Sequence, residues 1–196
     1  MDTPHPLDPQ ALFALLDRHG TPHATVEHEA VFTVAQSQAI ERDLPGGHTK
    51  NLFLKDKKGQ IFLVTAEAHA RIDLKRLHVP LGAASRLSFG SAELLREVLG
   101  VEPGSVTPLA LANDRAGRVR FFLDRTLTGF DTINAHPLVN TMTTAIPRDA
   151  LIAFLAAIDH APTLVDLPAP PEATAGESTS DSTCDAPGGS GVATPS

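Results

Sequence analysis

The sequence predicts an α+β fold on three observations. Helix-like and strand-like segments interleave irregularly, without regular βαβ units. The stretch "IFLVT" (61–65) is apolar at consecutive positions, the pattern of a central strand covered on both faces. The chain has 196 residues and 42% hydrophobic content, enough for one soluble domain whose core needs neither a disulfide nor a metal.

Each element has its own signal. Asp8 is a helix N-cap, Pro9 a first-turn residue and Gly20 a terminator, with Leu12, Phe13, Leu15 and Leu16 as the apolar stripe between them. "HATVEHE" (23–29) alternates and reads as a short strand. "TVAQSQAIERDL" (33–44) starts at a threonine cap and reads as a helix broken by Pro45-Gly46-Gly47. Strands follow over 49–55 and 60–65, joined by the hairpin-like "DKKG". "IDLKRLH" (72–78) reads as a short helix. "SAELLREVLG" (91–100) is a helix with a serine cap and a closing glycine. "LALAND" (109–114), "VRFFLD" (119–124) and "TMTTAI" (141–146) read as strands. A last helix covers 147–160.

These elements place one domain over 1–165 and a Pro/Ala/Gly/Ser/Thr-rich tail, expected to be disordered, over 166–196. From Pro168 onward, Val192 is the one aliphatic side chain larger than alanine. The single cysteine, Cys184, lies in that tail and excludes an internal disulfide, which fits a cytoplasmic setting. The acidic, Pro-containing N-terminus does not read as a secretory signal, and no apolar run is long enough for a membrane span.

Net charge is −7, which argues against indiscriminate binding of nucleic acid. The last 29 residues carry four acids and no Lys or Arg, so the rest of the chain stands at −3. Basic residues gather at 55–58, at 71–78 (Arg71, Lys75, Arg76, His78) and at 115–120, so a local basic face can form.

Several chemistries lack their motif. There is no phosphate-binding G-x-x-x-x-G-K-[ST], no G-x-G-x-x-G, no H-E-x-x-H, no C-x-x-C and no G-x-S-x-G. The nine histidines are scattered without metal-ligand spacing, so neither a metal nor another cofactor is expected.

Four features remain. Lys50 and Asn51 open an apolar strand, and a lysine is rarely buried unpaired, so Lys50 belongs at the mouth of a groove or on the surface. "GSVTP" (Gly104, Ser105, Val106, Thr107, Pro108) is a stiff loop whose backbone dipoles can be held outward, or an ordinary turn. "NAHPLVNT" brings Asn134, His136 and Asn140 into one segment, again readable as turn chemistry. Phe32 and Val34 flank Thr33 at a helix start and wall a small pocket or pack in the core.

Together, "VFTVAQS", "HTKNLFLKDKKGQIFLV", "GSVTP" and "INAHPLVNTMTTAI", in that order, resemble the YbaK/ProX family of aminoacyl-tRNA deacylases, in the superfamily of the prolyl-tRNA synthetase insertion domain. "KNLFL" and "HPLVNT" are most similar to the branch of free-standing alanyl-tRNA(Pro) deacylases. The resemblance implies a mixed, mostly antiparallel, barrel-like sheet with surrounding helices. It implies trans-editing: hydrolysis of the ester that joins a wrong amino acid to the tRNA 3′ end, without a cofactor. Lys50 would hold the terminal nucleotide rather than attack covalently. Gly104–Pro108 would orient the scissile carbonyl or the attacking water. His136 would line the aminoacyl pocket, with Phe32, Val34, Asn51 and Asn140 as further contacts. The substrate partner would be the tRNA(Pro) acceptor end, with prolyl-tRNA synthetase as a docking partner. Cys, Ser or Thr in place of Ala, a non-catalytic binding module, and a metal-dependent esterase remain the alternatives.

Overall fold

The computed structural model describes residues 5–29 and 43–171. The expected helix over 33–44, with Phe32 and Val34, lies largely outside them, as does the tail from Glu172 onward.

The centre of the fold is a hairpin. Strand β2 (Gly47–Lys55) pairs antiparallel with β3 (Ile61–Glu67), from Thr49 opposite Glu67 to Lys55 opposite Ile61. Its turn is held by Asp56, whose carboxylate accepts from the N–H groups of Lys58 (2.9 Å), Gln60 (3.0 Å) and Ala84 (3.1 Å). Residues Ile61 to Ala66 are all buried, as the apolar run requires. On the far side of β3 lies β5 (Val119–Asp124), parallel to it, and beyond that β8 (Thr163–Val165), also parallel. A two-residue strand, β4 (Ser88–Phe89), pairs with the end of β2.

At its beginning, β2 runs parallel to β6 (Thr132–Ala135) through Gly47 and His48. Strand β6 pairs antiparallel with β7 (Met142–Pro147), and β7 with β1 (Ala24–Glu27). The order is β1-β7-β6-β2-β3-β5-β8, a mixed sheet as expected, left open between β1 and β8 among the described residues.

Side-chain alternation divides the core in two. Phe53, Ile61, Leu63, Phe121 and Leu123 face a large cluster, while Leu54, Phe62, Val64 and Phe122 face a smaller one. Three helices cover the large cluster. Helix α1 (Pro9–Arg18) supplies Leu12 and Leu16, and Asp8 caps it by accepting from the Ala11 N–H at 2.8 Å. Helix α2 (Ala92–Leu99), capped by Ser91 and closed by Gly100, supplies Leu95, Val98 and Leu99. Helix α3 (Arg148–Ala157) supplies Leu151, Phe154 and Leu155. The smaller cluster is roofed by the segment 68–87 through Leu77 and Leu81.

Two expected elements differ. Residues 109–114 form no strand; Pro108–Asn113 is a 3-10 helix. Pro108 fixes the first-turn φ, and the Thr107 hydroxyl accepts from the Leu109 N–H at 3.3 Å, so local capping overrides the alternating pattern. Residues 72–78 form turns rather than a helix. One helical bond survives, Leu77 N–H to the Asp73 carbonyl at 3.0 Å, but the Asp73 carboxylate takes the Lys75 N–H at 2.9 Å and diverts the backbone. Strands β4, β6 and β8 go beyond the sequence reading.

Candidate active site

The start of β2 separates its two polar residues. Lys50 shares a face with Leu54 and the smaller cluster, and Asn51 shares the opposite face with Phe53 and the larger one. Lys50 is half-buried, and its Nζ donates to the Ala70 carbonyl in the segment that roofs its face.

Asn51 is tied at both ends of its amide. Its Nδ2 donates to the Val106 carbonyl at 2.8 Å, and its Oδ1 accepts from Thr65 Oγ1 at 2.6 Å. The first bond carries the Gly104–Pro108 loop against β2, and the second locks the amide to β3. Asn51 is thus a strut for that loop. The loop starts at Gly104, with φ +93°. The Ser105 N–H donates to the Glu102 carbonyl at 2.9 Å, and Ser105, Thr107 and Pro108 are buried. Among the described residues, the N–H groups of Gly104, Val106 and Thr107 donate to no protein acceptor. Fixed donors of this kind can receive the oxygen of a polarised carbonyl.

Asn140 lies near the loop: a Cβ placed on Gly104 would lie 3.9 Å from Asn140 Nδ2. The turn between β6 and β7 that carries Asn140 passes through Leu138, which holds φ +70° with its side chain buried in the larger cluster. The same turn begins at His136. Its Nδ1 donates to the Met142 carbonyl at 3.0 Å, which fixes the neutral tautomer and leaves Nε2 as an acceptor. Burial pushes the His136 pKa below its ordinary value; the Met142 carbonyl opposes this, and His28 and His48 add to it. The His28 ring lies 6.5 Å from that of His136, centroid to centroid. His28 Nε2 meets Thr143 Oγ1 at 2.9 Å, and its Nδ1 meets the Glu29 carbonyl at 2.8 Å. His48 Nε2 donates to the Leu44 carbonyl at 2.8 Å, and Asn134 Nδ2 lies 3.2 Å from the same nitrogen.

The structure therefore joins Asn51 to the loop directly, brings Asn140 near Gly104, and gathers His136 with His28 and His48. Lys50 stands beside Asn51 in sequence but faces the other way. Sequence reasoning missed Thr65, His28, His48 and Ala70. Thr65 was missed because the register pairs Lys55 with Ile61 and so Asn51 with Thr65, whereas counting outward from the four-residue "DKKG" turn puts Val64 opposite Asn51. Ala70 carries no chemical signal, since only its backbone is used. Among the described residues, no three His, Cys, Asp or Glu side chains gather as a metal site, and no helix is long and apolar enough to cross a membrane.

Fold and site together define an α+β domain whose central hairpin carries a polar loop tied to it through Asn51. A family model described as the aminoacyl-tRNA editing domain matches residues 28–154. The chain is 41% identical over 142 residues to prolyl-tRNA synthetase associated domain-containing protein 1 of Danio rerio, covering 71% of this chain and 77% of that one. It is 34% identical over 143 residues to prolyl-tRNA editing protein ProX of Acetoanaerobium sticklandii, covering 72% and 87% respectively. The crystal structure of "a putative trans-editing enzyme for prolyl tRNA synthetase" matches with a TM-score of 0.63 at 21% identity, over 81% of this chain and 95% of that chain, a likeness of fold. This chain belongs to the aminoacyl-tRNA editing domain family, and its enzyme class is aminoacyl-tRNA deacylase.

Proposed function

We propose that this protein hydrolyses the ester of tRNA(Pro) mischarged with alanine, acting in trans on the released aminoacyl-tRNA in the cytoplasm. The observation that carries this reading is the strut from Asn51 to Val106, at 2.8 Å, which holds a loop with unused N–H donors beside the strand of Lys50. The names of the relatives, ProX and a prolyl-tRNA synthetase associated protein, support proline-specific tRNA as the carrier.

In this mechanism the loop N–H groups receive the ester carbonyl oxygen as it gains charge. Water adds to the carbonyl carbon, and the bond to the ribose oxygen breaks. The ribose oxygen leaves with a proton from that water, giving free alanine and intact tRNA. Lys50 holds the RNA end by its charge. His136, neutral, offers Nε2 as an acceptor to the substrate's ammonium or hydroxyl groups. The task suits a second site, because a synthetase pocket for proline rejects a smaller amino acid only weakly, whereas a small pocket excludes proline by overlap. Prolyl-tRNA synthetase is the proposed source of the charged tRNA.

The test is a panel of tRNA(Pro) charged with Ala, Cys, Ser or Pro. Rapid loss of Ala with Pro retained is the expected result. Loss of the Cys or Ser ester but not Ala would overturn the alanine assignment. Absence of any deacylation above background would leave a binding module instead.

A further inference from the structure

We propose that the segment Ala70–Val79 is a docking surface for the sugar-phosphate backbone of the substrate's acceptor arm, with Arg71, Lys75 and Arg76 as the phosphate contacts. The inference rests on the RNA-substrate reading above and adds a surface to it.

The observations are of charge and place. Arg71, Lys75 and Arg76 are all exposed, and none makes an ion pair among the described residues. Four arginines elsewhere are neutralised: Arg96, Arg118, Arg125 and Arg148 each lie within 2.9 Å of a carboxylate, those of Glu102, Glu97, Asp166 and Asp149. Asp73 is the only acid between Ala68 and Leu87, and its carboxylate accepts from the Lys75 backbone N–H at 2.9 Å. Among the described residues, a chain of net charge −7 thus keeps three exposed cations without ion pairs between Arg71 and Arg76.

That stretch begins at the site. Lys50 Nζ donates to the Ala70 carbonyl, so Arg71 is the next residue along from the contact. The segment then follows β2, because Leu77 packs with Leu54 in the smaller cluster. Four residues of strand separate Lys50 from Leu54, about 13 Å at about 3.3 Å each. The cations therefore lead away from the amine that holds the terminal nucleotide, along the course the RNA backbone must take. Exposed Leu74 and Val79 sit among them, giving the charges an apolar setting. A polyanion with a regular charge spacing is the partner that such a row fits.

The experiment compares wild type with the triple variant Arg71→Gln/Lys75→Gln/Arg76→Gln, and with Arg115→Gln as an exposed control. Binding of an uncharged acceptor-stem hairpin RNA is measured against salt, and deacylation is measured on Ala-tRNA(Pro) and on alanyl-adenosine, which has no phosphate. Each lost phosphate contact lowers the salt slope by about 1, so the triple variant should lose about 3. Its KM for Ala-tRNA(Pro) should rise, while its rate on alanyl-adenosine and the behaviour of Arg115→Gln stay at wild type. An unchanged salt slope overturns the proposal, and so does an equal loss on alanyl-adenosine. Loss of binding to prolyl-tRNA synthetase with RNA binding intact would assign the surface to a protein and overturn it too. Failure of wild type to deacylate any ester is a separate result: it sinks the catalytic reading, while the hairpin binding still decides this one.

Discussion

Asn51 and Val106 are joined across the fold: the Asn51 amide nitrogen donates to the Val106 carbonyl at 2.8 Å, while Thr65 Oγ1 donates to the other end of the same amide at 2.6 Å. One side chain thereby ties two adjacent strands to a loop 55 residues away.

Asn51→Ala leaves the Thr65 hydroxyl and the Val106 carbonyl without partners. Part-buried groups left unpaired cost about 1–3 kcal/mol, so a denaturant melt should show a loss in that range. Asn51→Asp keeps the shape but turns a donor into an acceptor facing a carbonyl oxygen, which pushes the loop away. Its deacylation rate should fall by at least ~100-fold, more than its stability alone accounts for. Thr65→Val loses one bond and leaves the loop contact in place. A Thr65→Val variant as inactive as Asn51→Asp would refute the strut.

Lys50 gives the opposite balance. Its side chain is half-exposed, and among the described residues its one side-chain hydrogen bond is to a backbone carbonyl. Lys50→Ala should therefore change stability by less than about 1 kcal/mol. Its kcat/KM for Ala-tRNA(Pro) should drop by at least ~100-fold, since the charge proposed to hold the RNA end is lost. Lys50→Arg should recover part of the activity if charge is what matters. A Lys50→Arg variant no better than Lys50→Ala would point to a role beyond charge.

His136 makes a pH prediction. Burial, with His28 and His48 nearby, holds its pKa below the ordinary value of the unfolded chain. As pH falls below that ordinary value, about 6.5, the unfolded state takes a proton that the folded state resists. Stability conferred by neutral His136 is thus full above the unfolded value and is lost as pH falls toward the folded one. His136→Asn keeps a donor for the Met142 carbonyl and cannot titrate. Between pH 7 and pH 5, wild type should lose more stability than His136→Asn in urea melts. The acid limb of the wild-type rate profile should be absent or displaced in the variant. Equal losses in both proteins would remove His136 as the titrating group.

Local signals were the legible ones. Asp8 and Pro9, and Ser91 with Gly100, marked two helices because caps act within a turn. The run at 61–64 disclosed its central place because burial on both faces leaves four apolar residues in succession. Residues 109–114 misled for the same local reason in reverse: their alternation looks strand-like, but Thr107 and Pro108 start a 3-10 helix. Strand β6 stayed hidden because it is only four residues long, and two of them, Ile133 and Asn134, also pair with a parallel partner more than 80 positions away. In the site, Lys50, the loop and His136 were visible as residues, but their arrangement was not. That Asn51 supports the loop while Lys50 faces Ala70 follows from strand alternation plus two long-range bonds, and sequence supplies only the first.

Gly104 tests the loop itself. Its φ of +93° is hard for an L side chain, yet a Cβ there would meet nothing nearer than Asn140 Nδ2 at 3.9 Å. Gly104→Ala thus carries a backbone cost of about 1–2 kcal/mol and almost no steric one. Gly59, in the β2–β3 turn, is matched: φ is +81° and nothing lies within 4 Å of a Cβ. The two alanine variants should lose similar stability. They should part in catalysis, because relief of strain at residue 104 rotates the very N–H groups proposed to receive the carbonyl oxygen. Gly104→Ala should lower kcat with KM little changed, the mark of an interaction made in the transition state, and Gly59→Ala should leave both as in wild type. Equal activity in the two variants would mean that the orientation of the Gly104–Pro108 backbone is not what drives hydrolysis.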